Sequence, residues 1–478
     1  MYDVLIIGCG ITGAATAFHL SCYRLKTAIL ERENDVADGT TKANSAILHA
    51  GYDPEPGTLM AKLNVRGAAL AKELCAQLDV PYQPCGSFVL AFSPQDEATL
   101  QDLFRRGQAN GVPELRLLTG EETRAMDPNL SEQVTAALYA PTAAICSPWE
   151  YCLALAETAV RNGTELHLRT AVTGLELVEG GWLVHTNQGD FRSRYVINAA
   201  GVSAQAVHEM AAPTTFVIHP SRGQYYLLDK SEGDRVKHVI FQCPGPNGKG
   251  VLVAPTVHGN LIVGPNADPV PDEDVGTTAE GLNFVRTTAQ KSVPSVNFRE
   301  SIRNFSGVRS STNRGDFVIE MAAPHFLDLA GICSPGLTAA PAIAEYAAEL
   351  LAGDGLALEE KPDFFCQRRR VRFHDLSPAE KAKLVAEHPA YGRVICRCET
   401  VTEGEILEAL RSPIPPCSVD GVKRRVGAGM GRCQGGFCGP RVVEILCREL
   451  GITPDHMVQD KDGSWLLVGE TKGGNNHV

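Results

Sequence analysis

The chain has 478 residues with 44 Lys+Arg against 56 Asp+Glu, a formal net charge of −12, and its hydrophobic content of 44% is enough to give each domain a core; at ~150 residues per domain the length suggests about three domains. An acidic balance argues against a nucleic-acid binder, which needs a basic face for phosphate contacts. Fifteen scattered cysteines, an odd number, exclude a disulfide-stapled secreted scaffold. The start MYDVLIIG has no basic n-region and its apolar run is soon broken by glycines, so neither a secretion signal nor a membrane span is expected, and the expected location is cytoplasmic.

The first 30 residues predict a βαβ unit: VLII as a buried strand, GCGITG as a turn, AATAFHL as a helix, and TAIL as a second strand ending at Glu31. From about residue 81 strand segments such as SFVLAF follow, then a helical stretch near 95–110. Apolar residues at helical spacing in WEYCLALAETAVRNG predict another helix, stopped at Asn162-Gly163. LHLRTAVTGLELV and GWLVHTNQG read as a hairpin-rich meander closing with the buried strand of RYVINAAG. Residues 215–300, with FVIHPSRGQYYLLD and GNLIVGPNADP, read as a separate β-rich layer. FLDLAGICSPGLTAAPAIAEYAAELL predicts a strand, a glycine turn and an alanine-rich helix. KPDFFCQRRRVRFHDLSP is basic and proline-bounded, and is expected to be a linker that forms a solvated strap. There is no repeat of 20–50 residues and no low-complexity tract.

Gly8, Gly10 and Gly13 sit directly after a strand and open a helix. The first permits a tight turn, the second lets backbone approach a pyrophosphate, and the third lets helix and strand pack closely, while the helix N-terminus offers N–H groups to the anion. Glu31 lies at the end of the second strand, where a carboxylate accepts bonds from a ribose diol. Strand, glycines, helix and terminal acid together point to a dinucleotide; whether FAD or NAD is left open by these residues.

GTTKANSAILHAGY, RTAVTGLE, INAAG and GICSPGLTAAPAIAE, in this order over about residues 1–355, resemble the D-amino-acid-oxidase-like flavoprotein superfamily. NSAILHAG followed by PGTLMAKLNVRG is similar to its L-2-hydroxyglutarate oxidase and FAD-dependent glycerol-3-phosphate dehydrogenase branches. The resemblance implies an α/β fold: a Rossmann-like FAD-binding domain (about 1–80, 145–214 and 301–360) with an inserted β-rich substrate domain (about 81–144 and 215–300). It implies FAD held by Gly8, Gly10, Gly13 and Glu31, with Val172 contacting adenine through its backbone and Gly336, Leu337 and Thr338 against the flavin. Thr40, Thr41, Asn44 and Ser45 would border the pyrophosphate and the isoalloxazine. His49 is the candidate general base for a hydroxyl proton, with hydrogen bonding to the flavin or to a neighbouring carbonyl as its other reading. Arg309, in FSGVRSSTNRGDF, would face an anionic substrate, with Ser310 where many relatives have proline. Arg222 is a second candidate at the flavin and substrate, or else a strand-end salt bridge; Tyr52 would border the cavity.

Cys396-x-Cys398 and Cys433-x4-Cys438 form two tight pairs whose soft thiolates suit zinc or iron-sulfur. CRCETVTEGEI with GMGRCQGGFC resembles the bacterioferritin-associated-ferredoxin-like 2Fe-2S domain, which implies that these four cysteines ligate a 2Fe-2S cluster in a small α-rich domain over about 391–450, after a linker at 361–390 and before a tail at 451–478. Lys423, Arg424 and Arg425 would offset the cluster's charge, dock an acidic partner or lie in a solvated loop. FAD takes a hydride whereas a 2Fe-2S centre passes single electrons, so their union implies a dehydrogenase delivering electrons to a protein acceptor. The expected substrate is small and anionic: sn-glycerol 3-phosphate first, then a 2-hydroxy acid, then an amine such as proline or an opine. A non-catalytic electron-transfer subunit is the alternative of a different class.

Overall fold

A computed structural model of the chain describes residues 1–245, 250–271 and 273–469. It divides into two compact units, Met1–Glu31 with Val36–Arg368, and Arg32–Asp35 with the chain from Arg369 onward.

The larger unit contains two principal sheets. In the first, the strands Phe326–Ala330, Gly189–Asn198, β1 (Tyr2–Ile7), β2 (Thr27–Leu30) and Glu165–His167 lie side by side and run parallel. The register sets Leu5 beside Ala28 on one side and Val196 on the other. Val4 to Ile7 are buried on both faces, which is why this strand reads as an unbroken apolar run rather than an alternation. Antiparallel strands Val172–Val178, Gly181–Thr186 and Val318–Ala323 complete the sheet. Helix α1 (Ile11–Leu20) buries every residue but His19, and packs against the helices Pro148–Arg161 and Gly336–Gly353. Small side chains at Ala14, Ala17, Ala339 and Ala340 allow that close approach.

The second sheet runs from Asp268–Pro269 through Ile218–Leu228, Leu261–Gly264, Leu252–Pro255, Val239–Gln242, Ser87–Ala91 and Ala136–Ala140 to Arg116–Thr119. It is buried on both faces. Alternate residues of one strand divide between two cores: Val89 and Ala91 join Leu100 and Leu103 of the helix Pro94–Ala109, while Phe88 and Leu90 join Val285 and Ala289 of the helix Ala279–Ser292. That last helix lies inside the stretch whose sequence reads as wholly β-rich. A further difference concerns the strand Ser301–Thr312. It pairs with Ile218–Leu228 from Ile218↔Thr312 to Leu228↔Ser301, so it belongs to the second sheet and not to the FAD-binding part in which the sequence places it.

The smaller unit has its own core, in which Ile406, Val422, Val442, Leu446 and Met457 meet beneath the helices Glu403–Leu410, Val419–Val426 and Gly439–Leu450. Two sequence expectations change here. The stretch 361–390 is not a linker throughout: up to Arg368 it belongs to the larger unit, and beyond it a helix forms over Pro378–Glu387, started by a reciprocal capping box between Ser377 and Glu380. The residues after 450 are not only a tail, because Met457 is fully buried; residues 470–478 lie outside the described part. The basic run is solvated only in part: Arg369 is exposed, but Arg368 is buried in the larger unit, where its Nε donates to Glu157 Oε2 at 2.8 Å.

Candidate functional site

The glycine turn after β1 is explained by close approach. Gly8 has φ +99°, and a Cβ there would lie 2.6 Å from the Ala199 carbonyl oxygen; one on Gly13 would lie 2.0 Å from the carbonyl oxygen of Gly8. No side chain can enter either position. At the mouth of α1, the Ile11 N–H donates to Thr41 Oγ1 at 3.0 Å, which places Thr41 at the helix N-terminus. The Cys9 N–H donates to Glu31 Oε2 at 2.7 Å, holding that carboxylate over the turn. Val172 packs with Ile7 and Leu30 at the ends of β1 and β2. These residues fit a dinucleotide, since the turn closes on itself without side chains and the helix end and an acid stand on either side of it.

Around this turn, Asn44 donates to the carbonyls of Thr41 (2.8 Å) and Thr40 (3.2 Å) and accepts the Ala46 N–H. Asn44 therefore folds the segment instead of presenting its amide to a ligand. Thr40 Oγ1 donates to the Val308 carbonyl at 2.7 Å, tying the segment to the second sheet. Gly336–Gly353 begins without a side-chain cap, and its Gly336 N–H donates to the Cys333 carbonyl. Thr338, at its start, accepts the backbone N–H of His49 through Oγ1 at 2.9 Å; Gly336 and Leu337 lie on the same first turn.

His49 is held from three sides. Beyond the Thr338 bond, its carbonyl accepts from Asn64 Nδ2 at 2.8 Å, its Nε2 lies 3.3 Å from Ser334 Oγ, and its ring stacks on Phe241 with centroids 5.8 Å apart. The strand Ser301–Thr312 passes beside the Gly331–Gly336 turn, where the Ser310 hydroxyl donates to the Ile332 carbonyl at 3.5 Å. Among the described residues the Arg309 guanidinium donates through Nη2 to the Asn266 carbonyl at 3.3 Å, and it neighbours the Tyr225 hydroxyl. Arg309 Nη1 is buried with no partner, and among the described residues no carboxylate pairs with this arginine. Arg309 as a whole is half-buried, but a guanidinium N–H withdrawn from water without a partner is costly unless a ligand supplies one.

Arg222 does not join this group. In the strand ladder Ser221 opposes Arg309 and Arg222 opposes Val308, so the two arginines project from opposite faces. Arg222 pairs instead with Asp274 at 2.6 Å, which makes it the strand-end salt bridge. Tyr52 is buried in the core with Ile47, Val89 and Leu103. Tyr225, Ser334 and Asn64 are the site residues that sequence reading missed. Alternation along HPSRGQYYL could have placed Tyr225 on a face with Gly223, but its partner Arg309 is known only from the register.

In the smaller unit the four expected cysteine ligands come together as two couples. Cys398 Sγ and Cys433 Sγ are 3.6 Å apart, and the thiols of Cys396 and Cys438 are hydrogen-bonded. Two sulfurs on one tetrahedral metal with ~2.3 Å bonds lie about 3.8 Å apart, so each couple suits one metal atom. Among the described residues no three His, Cys, Asp or Glu groups gather on one point; two couples suit a dinuclear cluster better than a single zinc. The hydrogen bond from Cys438, with N–H groups of Gly429 and Glu399, brings the Cys396 thiol down to about 6 against its burial. The Phe437 N–H, helped by Cys398 and the Gly435 N–H, likewise lowers Cys433. Backbone donors aimed at the sulfurs favour the thiolates a cluster requires. Arg424 and Arg425 are neither a solvated loop nor a docking face: both are buried on Asp35, which accepts from both guanidinium groups, and Arg424 also reaches Asp460 at 2.6 Å. Among the described residues no helix is long and apolar enough to cross a membrane.

Comparison with known proteins agrees with this geometry. Residues 3–350 match the FAD dependent oxidoreductase family, and residues 394–448 match the BFD-like [2Fe-2S] binding domain. The chain is 49% identical over 476 residues to a glycerol 3-phosphate dehydrogenase of Caloramator mitchellensis, covering 99% of each. It is 32% identical over 273 residues to the L-2-hydroxyglutarate dehydrogenase of Escherichia coli strain K12, covering 56% of this chain and 64% of that one. Among solved structures, the dithionite-reduced L-alpha-glycerophosphate oxidase of Mycoplasma pneumoniae with FAD bound superposes with a TM-score of 0.73 at 32% identity, covering 77% of this chain and 98% of that one. The chain thus belongs to the FAD-dependent oxidoreductase family, binds FAD in its larger unit, and carries a C-terminal BFD-like domain for a 2Fe-2S cluster.

Proposed function

We propose that this enzyme is a dehydrogenase of sn-glycerol 3-phosphate, forming dihydroxyacetone phosphate and handing the electrons to a protein acceptor. The observation that carries the reading is Arg309, a half-buried arginine whose Nη1 is withdrawn from water and has no partner. It binds the phosphate with charge-assisted bonds and so fixes which carbon lies near the flavin. His49 takes the proton of the C2 hydroxyl at Nε2, while Ser334, Phe241 and the backbone bonds of Thr338 and Asn64 keep the ring from turning. When bound, FAD accepts the hydride and the cluster carries electrons singly onward. Glycerol 3-phosphate is favoured over a 2-hydroxy acid because likeness to the Caloramator protein extends over the whole chain, cluster domain included, whereas likeness to the 2-hydroxyglutarate enzymes covers little more than half. A cytoplasmic location accords with fifteen cysteines that are all free thiols.

The test is anaerobic addition of glycerol 3-phosphate to the purified protein, followed by absorption and EPR. Flavin bleaching together with a reduced-cluster EPR signal is the expected result, with no change on adding L-2-hydroxyglutarate. Bleaching by the hydroxy acid alone would reverse the substrate assignment, and no bleaching by either would favour an electron-transfer subunit.

A further inference from the structure

The ladder between Ile218–Leu228 and Ser301–Thr312 sorts its side chains onto two faces. Ser221 with Arg309, Gly223 with Gly307, and Tyr225 with Phe305 share one face. On it the Tyr225 ring stacks on Phe305, centroids 4.8 Å apart and planes 9° from parallel. The Tyr225 hydroxyl neighbours both the Arg309 guanidinium and Ser45, which work against the burial that raises its pKa. Because burial pushes this phenol up from its ordinary value, it stays neutral, able to accept from the guanidinium while donating to Ser45. Gly223 lies between the two side chains, and a Cβ there would come within 2.6 Å of Arg309 Nη2.

The same face is locked to the segment that follows the dinucleotide turn. A Cβ on Gly307 would lie 1.9 Å from the Ala43 carbonyl oxygen, so the strand rests directly on that segment's backbone. Ser45, two residues further on, is the second neighbour of the Tyr225 hydroxyl. The phenol therefore spans from the anion-binding arginine to the edge of the flavin site.

We propose that Tyr225 is a positioning residue for substrate binding: with Gly223 supplying the space, it holds the Arg309 guanidinium so that the unpaired Nη1 edge is left for the anionic end of the substrate. The proposal deepens the reading of Arg309 as a phosphate clamp and rests on it. Tyr225 touches neither substrate nor flavin in this scheme; it removes the rotational freedom that Arg309 would otherwise lose on binding.

The experiment uses the full-length protein carrying FAD and cluster, as wild type, Tyr225→Phe and Gly223→Ala. Tyr225→Phe keeps the ring stack and removes only the hydroxyl. KM for glycerol 3-phosphate and the Kd for inorganic phosphate, read from the flavin absorption change on titration, are expected to rise about tenfold, the size of one charge-assisted hydrogen bond, with kcat within about twofold. Gly223→Ala, which crowds the guanidinium directly, is expected to shift both constants in the same direction by more. A merely structural tyrosine would lower the thermal midpoint without separating KM from kcat. If wild type binds phosphate and Tyr225→Phe leaves both constants unchanged, or loses kcat alone, the proposal is overturned. If wild type binds phosphate but does not turn over glycerol 3-phosphate, the substrate assignment fails while the phosphate titration still judges Tyr225; if wild type neither binds phosphate nor turns over, the clamp reading falls and the proposal with it.

Discussion

Arg425 is buried and Arg309 half-buried, each within its own unit, and they end in opposite states. Arg425 is saturated: Nη1 and Nη2 donate to the two oxygens of Asp35 at 2.8 Å each, and Nε and Nη2 donate to the Ile414 carbonyl. Arg309 meets only a carbonyl and a phenol, and its Nη1 has no partner. The first arrangement is complete without a ligand, whereas the second leaves one buried donor open, which is the basis of the clamp proposed for it. Arg222 is an intermediate case, for its Nε is unpaired but its charge is answered by Asp274. What separates a binding arginine from a structural one is thus an unanswered charge, more than burial or an orphan N–H taken singly.

That comparison breaks most visibly at Arg309. Arg309→Met is expected to lower kcat/KM for glycerol 3-phosphate about a thousandfold, two bonds to a charged group at about 1.5–3 kcal/mol each, with FAD content unchanged; steady-state kinetics showing less than a tenfold loss would remove Arg309 from the clamp. Next in size, Asp35→Ala strips two buried guanidinium groups of their shared anion and is expected to cost the smaller unit about 3 kcal/mol, measured by denaturant unfolding monitored at the cluster's absorption. The paired arginines, Arg425 foremost, hold the Asp35 carboxyl at about 2 against an ordinary 3.8, despite burial that opposes them. A depressed acid stabilises the fold fully above its unfolded value and loses that contribution as pH falls through the folded one. The stability gap between wild type and Asp35→Ala should accordingly close between about pH 4 and pH 2.

A third substitution sharpens the contrast. Arg368 and Glu157 form a buried pair, so replacing both, Arg368→Met with Glu157→Leu, is expected to change stability by no more than about 1 kcal/mol, while Arg368→Met alone is clearly destabilising. Thermal unfolding of the single and double variants decides this. The smallest effect is expected at Arg222→Met. Its partner Asp274 is half exposed, which limits the pair to about 1 kcal/mol or less, and its position on the far face of the ladder predicts a KM within about twofold of wild type.

Much of the chemistry is legible in the sequence. The glycine turn is a local pattern, because a Cβ on Gly8 or Gly13 would lie 2.0–2.6 Å from another residue's carbonyl oxygen, which excludes side chains at fixed spacing; the two cysteine pairs are local too, although each sulfur couple takes one thiol from each pair. Fold class followed from the same local signals. Arg222 misled because HPSRGQYYL resembles a flavin-site segment, yet strand register gives it the wrong face; Tyr225 escaped notice because its significance lies in a residue on another strand. The strand Ser301–Thr312 was assigned to the wrong layer for the same reason, since a strand's sequence does not name its partner.

Arg424 and Arg425 show the limit most plainly. Their Asp35 lies about 390 positions earlier, in a four-residue segment that follows Glu31 yet belongs to the smaller unit. The sequence by itself determined which cofactors this protein carries, because FAD and 2Fe-2S sites are built from short runs whose backbone geometry is encoded on the spot. Which positive charges are neutralised, and which is left with an unpaired donor, was decided only by the tertiary structure, because charge pairing depends on distances of a few ångströms between residues that the chain itself keeps far apart.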